Sequence, residues 1–289
     1  MWDAVCAAGA YAAAMQLPEL TTLGVEIEGH VATVTLRAAG KAHRMGEAFF
    51  AELPRAFAWL DRNDDVRVII IRGEGEHFTA GLDLATMGGE LVPMLADGAL
   101  AKERTALLAL ITRLQQSISS VAACRKPVIA AIHGACIGGG VDLVTACDVR
   151  LASADARFSV REVKLAMVAD IGTLARLPPI VGQGQARLLA LTGDDIDAAR
   201  ALRIGLVEDV YESPTALAAA ARALAERIAQ NPPLVVMGVK EVMNAASERA
   251  AAESLRTVAL WNSAFLPSHD LREAFAAFME KRPPGFQGR

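Results

Sequence analysis

Three carboxylates occupy positions where an acidic side chain could do proton chemistry. Asp170 stands in the apolar run LAMVADIG (165–172). A carboxyl there is costly without a role, and desolvation raises its pKa and favours the protonated form. That suits a group that gives and takes a proton near neutral pH. Asp142 follows three glycines in IGGGVDL (137–143), and Glu162 lies in VREV (160–163). Structural uses stay open for each. Asp142 could be an acidic residue in the first turn of a helix, stabilised by its dipole. Glu162 could pair with Arg161, Lys164 or Arg176, and Asp170 could cap the turn into Gly172-Thr173. The three together fit proton transfer better than three separate structural roles.

Beside them lie two glycine turns that resemble each other. IIIRGEGEHFTAGLDL (69–84) ends in Gly-Leu-Asp-Leu, and AAIHGACIGGGVDL (130–143) ends in Gly-Val-Asp-Leu. One such turn also serves tight packing. Two at matching offsets suggest a shared task, a repeated strand, turn and helix start. A glycine turn opening into a helix points backbone N–H groups outward, where they can receive an anion or a developing oxyanion.

The elements that must position these groups read as follows. Gly24 to Leu36 alternates apolar and polar residues around Glu28-Gly29-His30, which predicts a hairpin with one buried face. Glu47 to Leu60 has helical spacing, with Pro54 as a kink or break. Val66 to Ile71 and Pro127 to Ile132 are short continuous apolar runs that suit strands buried on both faces. From Gly182 the chain is largely helical, near 183–192, 197–204, 214–230 and 235–281, with breaks at Asn231-Pro232-Pro233 and Pro267. We therefore expect an α/β fold: an N-terminal extension over 1–20, a core over 21–212 that holds the site, and a helical C-terminal region over 213–289.

The chain has 289 residues, 53% hydrophobic and 21% charged, enough to bury a large core. A net charge of -4 and a pI near 5.8 give no electrostatic reason to expect nucleic acid. Cys6, Cys124, Cys136 and Cys147 form no CxxC pair and read as reduced, buried thiols. His133 beside the second turn reads as a satisfied buried histidine, and His43, His77 and His269 have no partner pattern. The apolar N-terminus carries Asp3 and no Lys or Arg before Arg37, unlike a signal peptide. No stretch reads as a membrane span, so the expectation is a soluble cytoplasmic protein.

Residues 24–288 resemble the crotonase family, also called the enoyl-CoA hydratase/isomerase family. The resemblance is carried by HFTAGLDL (77–84), KPVIAAIHGACIGGGVDLVTACD (126–148), FSVREVKLAMVADIGTLARLP (158–178) and AFAAFMEKRPPGFQG (274–288), in that order. It implies a crotonase-like spiral of ββα units with a helical C-terminal trimerisation region, assembled as a homotrimer or a dimer of trimers. It implies an acyl-CoA thioester as substrate, with no metal or redox cofactor. By motif position the thioester oxygen would be held by the backbone N–H groups of Leu82 and Gly139. Coenzyme A would be held by Lys41, Ala80, Asp83, Leu84, Phe278 and Lys281. Ala38, Ala39, His43 and Gly46 depart from the family's usual pattern in the loop that carries Lys41.

The three carboxylates select among the family's reactions. Its hydratases use two Glu side chains to hold one water. Glu162 matches one of them, but position 142 holds the shorter Asp, and misplacing a water by about an ångström costs on the order of 10²-fold. At position 170 hydratases usually carry Gly. Asp, Glu and Asp at 142, 162 and 170 are similar to the branch of Δ3,5-Δ2,4-dienoyl-CoA isomerases. This implies a proton taken from C2 by Glu162 and one given to C6 by Asp170, roles that could be exchanged, with Asp142 orienting or polarising between them. The other readings are an enoyl-CoA hydratase, a Δ3-Δ2-enoyl-CoA isomerase, or a silent member acting as a scaffold.

Overall fold

The computed structural model describes residues 16–37, 43–83, 85–87, 93–95 and 99–288. The alternating segment near the N-terminus forms the expected hairpin: β1 (Leu23–Glu28) and β2 (Val31–Leu36) pair antiparallel, with Glu28 opposite Val31. Gly29 takes the positive φ, 58°, that so tight a turn requires. Helix α1 (Glu47–Arg62) buries Phe49, Phe50, Leu53, Ala56, Phe57 and Leu60 along one stripe, and Pro54 sits inside it without ending it.

The chain continues through β3 (Val68–Gly73), α2 (Ala101–Ala123), β4 (Val128–Ile132), β5 (Ala135–Ile137), α3 (Gly139–Thr145), β6 (Val149–Ser153) and β7 (Arg157–Ser159). A 3₁₀ turn over Arg161–Leu165 follows. Then come α4 (Thr173–Val181), α5 (Gln183–Thr192), β8 (Ile196–Asp197), α6 (Ala198–Arg203), β9 (Asp209–Tyr211), α7 (Pro214–Ala229), α8 (Pro233–Phe265) and α9 (His269–Glu280).

Six strands form one sheet in the order β1-β2-β3-β4-β6-β9, parallel throughout except for the β1/β2 hairpin. The apolar runs of β3 and β4 are buried on both faces, as their continuity predicts. Ile69, Ile71, Val128, Ala130 and Ile132 pack with Phe57, Leu60, Ile118 and Val121 of α1 and α2. Val68, Ile70, Ile129 and Ala131 face Leu217, Ala221 and Ala225 of α7. Each Val, Ile, Leu or Phe among them contributes ~1.5–3 kcal/mol on burial, so the strand ends are held firmly.

A second, three-stranded sheet, β5-β7-β8, grows out of the ends of these strands. Phe78 N–H donates to His133 O at 2.8 Å, Thr79 N–H to Ala135 O at 2.9 Å, and Ile137 N–H to Thr79 O at 3.1 Å. On the other side Met45 N–H donates to Gly81 O at 2.8 Å and Asp83 N–H to Met45 O at 2.9 Å. Three segments are thus laced edge to edge, which brings the two glycine turns together. Helix α8 runs back across α2 and α4 and so reaches the same end of the molecule.

Candidate active site

The two glycine turns touch. Gly81 has φ +84°, and a Cβ there would stand 2.6 Å from Ile137 O and 3.3 Å from Gly139 N, so only glycine fits. A Cβ on Gly139 would lie 3.0 Å from the Leu82 side chain and 3.1 Å from Met45 Sδ. Among the described residues neither Leu82 N–H nor Gly139 N–H donates to another backbone group. Two free, rigidly placed donors side by side can stabilise charge developing on one oxygen, and one such donor is worth about 10²–10³ in rate.

All three carboxylates gather at this end. Asp142 is in the first turn of α3 and fully buried. Its Oδ1 accepts the Thr173 N–H at the start of α4 and its Oδ2 has no hydrogen-bond partner. Glu162, at the start of the 3₁₀ turn, and Asp170, in the loop before α4, are part-buried. Glu162 Oε1 would lie 3.0 Å from a Cβ on Gly138, next to the second turn, and Oε2 is buried without a partner. Asp170 is held from the opposite side, where Asn262 of α8 donates to its Oδ2 at 2.6 Å.

Burial pushes all three carboxyls up. Asp142 rises to about 6, with the Thr173 N–H and the Arg176 charge opposing desolvation. Glu162 rises to about 8 through desolvation, then the charge of Asp142 and, less, that of Asp170. Asp170 rises to about 7 through desolvation, offset by the Asn262 bond and raised further by Asp142. Burial thus brings Glu162 and Asp170 into the neutral range, where a carboxyl can both hold and release a proton, as acid–base work at pH 7 needs.

The structural alternatives for these groups come out differently. The bases near Glu162 pair elsewhere: Arg161 with Asp195, Lys164 with Asp194 at 3.6 Å, and Arg176 with Glu248 at 3.3 Å. The α4 N-terminus is capped by Asp142, not by Asp170. His133 is buried and satisfied by Gly75 O at 2.9 Å, with its pKa lowered by desolvation. Cys124, Cys136 and Cys147 are free and buried.

The expected coenzyme A residues are less closely gathered. Lys41 and Leu84 lie outside the described residues. Ala80 and Asp83 flank the first turn, and Asp83 Oδ1 accepts the N–H groups of Ala85 and Thr86 at 3.2 and 3.3 Å. Phe278, 71% exposed, and Lys281 stand at the C-terminal end of α9. Sequence reasoning missed two residues that hold Asp170. Asn262 also donates to Val168 O at 2.8 Å, and Gln115 of α2 donates to Asp170 O at 2.6 Å and Leu255 O at 2.9 Å. They lie 92 and 55 positions from Asp170, on helices whose polar residues carry no local mark of the pairing. A cavity of about 710 Å³, lined in part by Arg176 and Glu248, opens between α8, α4 and the start of β6.

Among the described residues no group of His, Cys, Asp and Glu is arranged to hold a metal ion, and no helix is long and apolar enough to cross a membrane.

The chain is 45% identical over 260 residues to the mitochondrial Δ(3,5)-Δ(2,4)-dienoyl-CoA isomerase of Dictyostelium discoideum, covering 89% of this chain and 87% of that one. It is 47% identical over 238 residues to the peroxisomal enzyme of the same name from Arabidopsis thaliana, covering 82% and 86%. A solved enoyl-CoA hydratase from Mycobacterium avium subsp. paratuberculosis superposes with a TM-score of 0.79 at 26% identity, over 93% of this chain and all of that one. That likeness gives the chain the spiral fold that the resemblance implied. The expectation of a cytoplasmic protein does not stand, because the relatives carry mitochondrial and peroxisomal in their names. Residues 26–289 match the family described as enoyl-CoA hydratase/isomerase, and the chain belongs to that family.

Proposed function

We propose that this protein is a dienoyl-CoA isomerase that converts a 3,5-dienoyl-CoA to the 2,4-dienoyl-CoA. The observation that carries the reading is the placing of two up-shifted carboxyls on opposite sides of one site. Glu162 stands against the glycine turn and Asp170 against α8, with Asp142 acting on both. The relatives' names support the same reaction.

In this mechanism the thioester oxygen rests on the N–H groups of Leu82 and Gly139. Glu162, beside that oxygen's seat, takes the C2 proton. The C2–H electron pair becomes the C2=C3 bond, the C3=C4 pair moves to C4=C5, and the C5=C6 pair takes a proton from Asp170 at C6. One proton is removed and one delivered, so the substrate's composition is unchanged. The negative charge of the dienolate is spread toward the oxygen, where the two donors meet it. Asp142, held by Thr173, does not transfer a proton; its charge sets the basicity of the other two. Coenzyme A is part of the substrate, held by Lys41, Ala80, Asp83, Leu84, Phe278 and Lys281.

Residues 21–212 carry this chemistry and 213–289 close over it. The exposed apolar residues Leu234, Val235, Val239, Val242 and Met243 of α8 support assembly as a homotrimer or a dimer of trimers. Sedimentation velocity of the purified protein tests the assembly, a monomer being the contrary result. The reaction is tested by supplying 3,5-dienoyl-CoA and, separately, 2-enoyl-CoA, and following the absorbance of the conjugated 2,4-diene. Diene formation supports the reading, and water addition to 2-enoyl-CoA without diene formation sinks it.

A further inference from the structure

Arg176, on α4, is 5% exposed, and a guanidinium so deeply placed needs partners. Its Nη2 donates to Ser119 Oγ of α2 at 3.0 Å and to Glu248 Oε2 of α8 at 3.3 Å, and Nε donates to Glu248 Oε1 at 3.4 Å. Its Nη1 is buried with no hydrogen-bond partner among the described residues. That nitrogen lies over Gly172. A Cβ at position 172 would stand 3.1 Å from Arg176 Nη1 and 3.5 Å from Asp142 Oδ1. Bare Gly172 is thus the gap across which a guanidinium and a fully buried carboxylate face each other.

We propose that Arg176 is a positioning residue which, across Gly172, keeps Asp142 ionised behind the two proton-transfer carboxylates. The proposal rests on the isomerase reading for its kinetic consequence, but not for its electrostatic content. A charged group buried next to Glu162 and Asp170 discourages their ionisation; the charge of Asp142 is among the causes that raise both. If Asp142 became neutral, Glu162 and Asp170 would ionise at lower pH and the site would lack its proton donor at neutral pH. The three charges are thus linked by two contacts, Glu248 of α8 to Arg176 and Arg176 across Gly172 to Asp142. The other titratable neighbours are few. The Cys136 thiol of β5 faces Asp142 and stays protonated, its pKa raised by burial, and Arg161 acts on Glu162.

The test is a carboxyl titration followed by the infrared C=O band of the protonated acids, with bands assigned by their loss in Glu162→Gln and Asp170→Asn. It needs no substrate, so it remains decisive even if 3,5-dienoyl-CoA is not turned over. In Arg176→Gln both midpoints should fall by roughly one pH unit, the scale of a charge lost within a few ångströms. Arg176→Lys, which keeps the charge, should leave them in place. Where turnover is measured, Arg176→Gln should lower kcat at pH 8.5 by about tenfold for each unit of that fall, with KM little changed. In an Asp142→Asn background the Arg176→Gln change should move nothing further. Unmoved midpoints in Arg176→Gln, or an equal fall in the Asp142→Asn background, overturn the proposal. Should Arg176→Gln not fold, Asp142→Asn alone decides: its midpoints fall if Asp142 is the ionised member and stay if it is not.

Discussion

Replacing Asp170 by Asn should make the protein more stable and nearly inactive, and both effects follow from the same burial. The side chain is part-buried, with Asn262 donating to it at 2.6 Å, and its pKa lies at about 7 against an ordinary 3.8. Below pH 3.8 the carboxyl is protonated in both the folded and unfolded chain and contributes nothing. Between pH 4 and 7 the unfolded chain ionises while the fold holds the proton, so wild-type stability falls as pH rises, and above 7 the loss is constant. At about 1.36 kcal/mol for each unit the full loss is about 4 kcal/mol, and contact with solvent reduces it to about 2–4 kcal/mol. Asn, of the same shape and never charged, avoids it. Thermal melts of wild type and Asp170→Asn should therefore diverge from pH 5 to pH 8, the variant gaining several degrees by pH 8. In the diene absorbance assay kcat should fall about 10²–10⁴-fold, the usual worth of a placed acid or base. A variant that keeps its activity, or a difference in Tm that does not change with pH, would refute the reasoning.

Further outcomes follow from the same geometry. The kcat/KM profile of the wild type should be bell-shaped, because turnover needs one proton on the Glu162–Asp170 pair, with limbs near pH 7 and 8 from the two raised values; a flat profile from pH 6 to 9 contradicts this. Asn262→Leu removes the donor to Asp170 and leaves its carboxylate unpaired, so kcat should drop roughly tenfold or more with the acid limb moved to higher pH. Gly81→Ala must place a methyl 2.6 Å from Ile137 O at φ +84°, so it should cost at least ~1–3 kcal/mol in chemical denaturation. Any folded fraction should lose about 10²-fold or more in kcat as the Leu82 N–H is displaced.

Much of the scaffold was legible because its signals are local. The alternation over 24–36 and the turn at Gly29 specify the β1/β2 register, and the two apolar runs specify strands covered on both faces. The kinship of the two glycine turns could be read from matching offsets, and their contact confirms that they meet. Strands β5, β7 and β8, of two or three residues, are too short to show a period, so the small sheet that laces the turns was not foreseen. Asp170 is the acid nearest in sequence that could cap α4, yet the fold brings Asp142 there from 31 residues away. Asn262, Gln115 and Arg176 act through the packing of α8, α2 and α4, and helical periodicity says which face is apolar without saying which polar residue will meet which loop. The cellular address failed for another reason: it is read by receptors from targeting segments and leaves no trace in the chemistry of the site.

The central claim, two carboxyls working at opposite ends of a dienolate, is tested most directly by running the isomerisation in D₂O and locating the label by NMR. With Glu162 receiving at C2 and Asp170 giving at C6, the product should carry solvent deuterium at C6 after a single turnover. A product in which the original C2 hydrogen has been carried to C6, or one with water added in place of a shifted diene, would contradict it.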